Sequence, residues 1–138
     1  MRQLHDAVHA AARVGRVKGG EWSAMKEFVK VIKALSDPNR VKIVKMLQHK
    51  SMCVCELRVA LGIAQPTVSK HLKILEEAGF VQSRKDGLWV NYLLTDGSSS
   101  PYVASLLGNL RHWLEEEPEI ARLQQRLPMI NREAICSK

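Results

Sequence analysis

Apolar positions recur along this chain with two periods, and the change of period marks its organisation. From Met25 to Leu35, Phe28, Val29, Ile32 and Leu35 fall on one face of a helix, with Lys26, Lys30 and Lys33 opposite. Ser36-Asp37-Pro38 stops that helix and starts another, since Asp is a good N-cap and Pro a good first helical residue. The next helix runs from Asn39 to about Gln48. It buries Val41, Ile43, Val44 and Leu47 and turns Arg40, Lys42 and Lys45 outward. Cys53 to Leu61 forms a third helix with Val54, Leu57, Ala60 and Leu61 inward, and Gly62 stands where a left-handed residue ends it. A fourth helix begins near Pro66 and runs to Ala78, with Val68, Leu72 and Leu75 as its buried stripe and Gly79 as its stop.

After Gly79 the period falls to two. Phe80 to Arg84 reads as a strand, Lys85-Asp86-Gly87 as a tight turn and Leu88 to Leu94 as the returning strand. Asp96 to Pro101 is a linker. Tyr102 to about Glu116 is a further helix carrying Val103, Leu106, Leu107, Leu110, Trp113 and Leu114. That apolar face is wide for the last helix of a small domain, and it predicts a dimer seam shared with the helix that opens at Met25. Glu119 to Leu127 makes a short helix, and Pro128 to Lys138 is expected to be a loose tail.

These elements predict a mainly α fold with a small β-hairpin, a homodimeric winged helix-turn-helix. The chain divides into a partly ordered N-terminal extension (1–24), a winged helix-turn-helix and dimerisation domain (25–116) and a C-terminal helix and tail (117–138). Met25 is a second candidate for the natural start. His5 and His9 sit four residues apart in the extension, but no cysteine supports a metal site there, and a solvated segment fits better.

The polar face of the fourth helix carries the chemistry. Gln65, Thr67, Ser69, Lys70 and Lys73 crowd near its start, where short hydrogen-bonding side chains and lysines can reach base edges and phosphates. Arg84 and Lys85, at the expected hairpin tip, can touch phosphate or the minor groove. An ordinary helical hairpin with a solvated face would share the helix pattern, but it would not require a hairpin to follow. Charge agrees with a nucleic-acid partner. The chain is +7 overall, and residues 25–94 hold 12 cationic against 6 acidic side chains. No apolar run approaches membrane-spanning length, and the three cysteines do not form a disulfide framework, so a reduced, cytoplasmic setting is expected.

The Asp37-Pro38-Asn39-Arg40 turn, the Cys53-Val54-Cys55-Glu56-Leu57 start and the run from Gln65 to Leu72 together resemble the ArsR (arsenical-resistance repressor) family. The resemblance spans Met25 to about Glu116. It implies a homodimeric repressor that binds a pseudo-palindromic double-stranded operator and leaves it on binding metal ions or metalloids. The pair Cys53 and Cys55 resembles the sensor site of the arsenite- and antimonite-responsive members. The third cysteine of that pattern falls at position 58, which is Arg58 here.

The chemistry of the pair fits such an inducer, because trivalent arsenic and antimony are thiophilic. A place in the first turn of a helix is expected to lower both thiol pKa values. Two residues apart on a helix is about 200° of rotation, so both sulfurs can bind one ion only if the helix start shifts. Cys136 is the remaining candidate ligand. No permanent cofactor is implied. His112 and Glu115 resemble half of the zinc site of zinc-sensing relatives, but Ser99 and Pro101 stand where that pattern has further ligands. A thiol-redox or persulfide sensor using Cys53, Cys55 and Cys136 on the same scaffold is the alternative function. An enzyme is not expected, for the sequence has no Cys-x-x-Cys and no phosphate-binding loop.

Overall fold

The computed structural model describes residues 23–135. The expectations for the N-terminal extension, including His5 and His9, and for Cys136 lie outside that range. Helix α1 (Ala24–Ala34) is capped by Ser23, whose hydroxyl accepts from the Lys26 amide at 3.1 Å. Helix α2 (Pro38–Leu47) is capped by Asp37, whose carboxylate accepts from the Asn39 and Arg40 amides at 2.8 and 3.2 Å. Helix α3 (Val54–Leu61) ends at Gly62, where a φ of 70° lets the Gly62 amide donate to the Arg58 carbonyl at 2.8 Å. Helix α4 (Gln65–Ala78) follows across the turn and stops at Gly79. Val68, Leu72 and Leu75 are buried as their spacing requires, and they pack with Ile43, Val44, Leu57 and Phe80 in one core.

The sheet has a strand that the periodicity did not reveal. Strand β1 is only Met52–Cys53, too short to show alternation, and it pairs antiparallel with β3 (Trp89–Leu94), which also pairs with β2 (Val81–Asp86). The order is β1-β3-β2. The hairpin turn is Gly87-Leu88, not Lys85-Asp86-Gly87. Arg84 and Lys85 therefore lie within β2, opposite Asn91 and Val90. Gly87 has a φ of 63°, the left-handed value that a two-residue hairpin loop needs.

Three further expectations change. Lys45 does not face outward. It is 1% exposed, and its Nζ donates to the carbonyls of Leu110 at 2.6 Å and Trp113 at 2.8 Å and pairs with the Glu115 carboxylate. An ammonium has three donors, and these three acceptors satisfy them. Helix α5 (Pro101–Leu110) consequently ends at Leu110 instead of near Glu116. The chain turns away beneath Lys45 and passes through Leu114 at a φ of 68°. Residues 128–135 are not a loose tail. Helix α6 (Pro118–Arg126), a 3-10 turn (Leu127–Met129) and the short helix α7 (Arg132–Ile135) run back over the domain. Leu123, Leu127 and Ile130 enter the core, and Lys50 Nζ holds the carbonyls of Leu127 and Ile130 at 3.2 and 2.9 Å.

The apolar face expected on α1 is only partly buried. Val31 and Ala34 face the core, whereas Phe28, Val29 and Ile32 are 46%, 40% and 42% exposed. Phe28 meets Tyr102 of α5 edge to face, with ring centroids 5.3 Å apart. The two helices thus present one continuous surface.

Candidate nucleic-acid interface and thiol site

Packing decides which way α4 faces. With Val68, Leu72 and Leu75 turned into the core, Gln65, Thr67, Ser69, Lys70 and Lys73 are all exposed on the opposite side. Arg84 and Lys85 are exposed on β2. The structure therefore leaves all seven polar candidates open to a partner, five on one helix face and two on the hairpin.

Two residues that the pattern treated as ordinary hold α4 in place. Arg40, expected to face outward, folds back. Its Nε donates to the Ala34 carbonyl at 2.7 Å and its Nη2 to that of Lys33 at 3.3 Å, capping the end of α1. Its Nη1 lies 3.1 Å from Nδ1 of His71, a largely buried residue of α4. Nε2 of the same ring lies 3.9 Å from the Asp37 carboxylate. One cluster thus joins the end of α1, the start of α2 and the middle of α4. The Asp37-Pro38-Asn39-Arg40 turn was visible in the sequence, but its link to His71 was not, because 31 residues separate them.

The two sulfurs of the Cys-x-Cys pair occupy unlike places. Cys53 pairs with Asn91 in β1, forms the N-cap of α3 and is buried. Its amide donates to the Glu56 carboxylate at 3.0 Å, the backbone half of a capping box. The expected lowering of its thiol pKa is reversed. Burial pushes the Cys53 thiol up, and the Glu56 charge adds to this, against the opposing backbone N–H groups of Glu56 and Cys55. Cys53 is a free thiol. Cys55, the second residue of α3, is partly exposed and disulfide-bonded, and its Sγ lies 3.8 Å from the carbonyl oxygen of Ile135 in α7.

Among the described residues, no three His, Cys, Asp or Glu side chains converge to hold a metal ion. Glu115 is committed to Lys45, which holds its carboxyl below the ordinary glutamate range, so the His112–Glu115 pair does not stand as an isolated half-site. No helix among the described residues is long and apolar enough to cross a membrane.

The family described as "Bacterial regulatory protein, arsR family" matches residues 37–83, from the cap of α2 to the first residues of β2. The arsenical resistance operon repressor of Escherichia coli strain K12 is 32% identical over 106 residues, which cover 75% of this chain and 86% of that protein. The HTH-type transcriptional regulator MJ1325 of Methanocaldococcus jannaschii is 46% identical over 72 residues, 51% of this chain and 81% of that one. Among solved structures, the transcriptional repressor BigR from Xylella fastidiosa superposes with a TM-score of 0.56 at 31% identity, covering 67% of this chain and 89% of that chain. The helix pair, the hairpin after it and these matches place the chain in the ArsR family of winged helix-turn-helix transcriptional regulators.

Proposed function

We propose that this protein is a homodimeric repressor that binds a pseudo-palindromic operator and releases it when arsenite or antimonite binds at a thiol site centred on Cys55. Helix α4 lies in the major groove through Gln65, Thr67, Ser69, Lys70 and Lys73, and the hairpin reaches the flanking backbone through Arg84 and Lys85. The dimer closes through the exposed Phe28, Val29 and Ile32 together with α5, setting the two α4 helices roughly 34 Å apart. The position of Cys55 carries the sensing step. It is partly exposed, it belongs to the helix that packs on α4, and its sulfur adjoins Ile135, the residue before Cys136. Trivalent arsenic favours thiolates. Once the disulfide of Cys55 is reduced, Cys55 and Cys136 supply two, and buried Cys53 joins as the third only if the start of α3 shifts. That shift would disturb α4, so inducer and DNA compete.

The disulfide-bonded state of Cys55 favours a second reading, in which oxidation is the signal. The thiols of Cys55 and Cys136 would give up two protons and two electrons to form one disulfide, and hydrogen peroxide would take them up to become two waters.

Operator titrations of the dithiothreitol-reduced protein, with arsenite, antimonite, zinc, cadmium and peroxide added in turn, separate these readings. Cys55→Ser should bind DNA normally and stay bound in arsenite. Cys53→Ser is expected to do the same, and Cys136→Ser to need more arsenite than the wild type. X-ray absorption on the arsenite complex counts the sulfurs. Release of the Cys55→Ser protein at the wild-type arsenite concentration would remove the site.

A further inference from the structure

The hairpin of this domain is braced from an unexpected direction. Arg132 of α7 donates from Nη1 to the Asn91 side-chain oxygen at 3.0 Å and from Nη2 to the Asp86 carboxylate at 3.3 Å. Its guanidinium carbon also sits 5.0 Å from the centre of the Trp89 ring. Asp86, Trp89 and Asn91 flank the two-residue loop, so one planar side chain grips both strands near the tip. Strand β2 is exposed along its length except at Val81, and a two-stranded ribbon without such support is marginal. Three residues beyond Arg132, at the other end of the single turn of α7, the Ile135 carbonyl faces Cys55. Upstream, Lys50 and the buried Leu127 and Ile130 pin the segment to the core.

We infer that Arg132 positions the wing for DNA, and that the segment 127–135 is the link through which chemistry at Cys55 reaches it. The second half rests on the sensing reading above. Any change at Cys55 that displaces Ile135 displaces a four-residue helix whose other end holds the hairpin. The wing then leaves its place together with the shift of α3. Because Arg132 acts through Asp86, Trp89 and Asn91, it is a positioning residue and makes no DNA contact of its own.

Full-length protein carrying 5-fluorotryptophan tests both halves, with the Trp89 fluorine resonance assigned by Trp89→Phe. Arg132→Gln is expected to shift that resonance and weaken operator binding about tenfold, the equivalent of 1.4 kcal/mol. Arg132→Lys, which keeps the charge and loses the fork, should fall between. In a protein already carrying Arg84→Ala and Lys85→Ala, Arg132→Gln should cost nothing further. A further loss of equal size would mean that Arg132 touches DNA itself and would overturn the positioning role, as would an Arg132→Gln protein with wild-type affinity and an unmoved Trp89 resonance. Arsenite should move the Trp89 resonance in the wild type and much less in Arg132→Gln. An equal movement in both would overturn the link. If the wild type keeps its operator in arsenite and peroxide alike, the sensing reading fails while the effect of Arg132 on the wing stands.

Discussion

Arg40 Nη1 lies 3.1 Å from His71 Nδ1. A guanidinium only donates, so Nδ1 is the acceptor of that bond, and Nε2 of the same ring faces the Asp37 carboxylate. A cap residue of α2, a side chain from its first turn and the middle of α4 therefore share one polar cluster. We expect Arg40→Met to destabilise the fold by about 1.5–3 kcal/mol, the usual cost of losing hydrogen bonds from a charged group. His71→Ala should weaken operator binding although His71 is buried, off the exposed polar face of α4. Chemical denaturation and operator titration of the two variants check this. Wild-type affinity in a folded His71→Ala protein would show that the cluster does not orient α4.

The lysines of α4 should act differently from its hydroxyls. Lys70→Ala and Lys73→Ala are each expected to lower the slope of log affinity against log salt by about 0.9, one phosphate contact apiece. Thr67→Ala and Ser69→Ala should leave the slope intact and relax sequence preference at single base pairs. Titrations at several salt concentrations against operators with single substitutions distinguish the two patterns. Four variants that matched the wild type in both would remove α4 from the DNA interface.

The apolar face of α1 should control assembly. Ile32→Glu places a charge among Phe28, Val29 and Ile32 without touching the buried Val31 and Ala34. We expect a folded monomer at micromolar concentration in sedimentation, with operator affinity reduced by at least about 100-fold as one half-site is lost. An unchanged dimer would move the interface elsewhere.

Acid should loosen the turn after α5. Lys45 holds the Glu115 carboxyl below its ordinary value through a direct hydrogen bond, and Lys42 does the same to Glu119. A carboxylate with a depressed folded-state pKa contributes stability that is complete above its unfolded value and is lost as pH falls through the folded one. Stability should therefore decline from about pH 5 toward pH 3, and Glu115→Gln should flatten part of that decline. Lys45→Met should cost about 1–3 kcal/mol, because the Leu110 and Trp113 carbonyls lose their donor. Denaturant melts across that pH range give both results.

The helix-turn-helix was legible because its signals are local. Apolar spacing, Pro66 and the two glycines mark α3 and α4 within a few residues of their observed bounds. The features that were missed depend on partners far along the chain. Strand β1 exists because β3 pairs with it about 40 residues later. Lys45 reads as a surface lysine until the carbonyls 65 and 68 residues away close over it. The segment after Pro128 carries no strong helical period, yet Leu127 and Ile130 hold it on the core. At the candidate thiol site, the cysteine spacing was readable. The burial that separates Cys53 from Cys55 was not, because it arises from the pairing of β1.

The open surface of Phe28, Val29 and Ile32 also ties stability to abundance. If a second copy covers that face, association adds to the folding free energy by mass action, and the unfolding midpoint rises with protein concentration. A cell holding few copies would keep them nearer to the monomer, with weaker folding and a lost half-site at once. The dose of the protein would then set its operator occupancy more steeply than simple binding would.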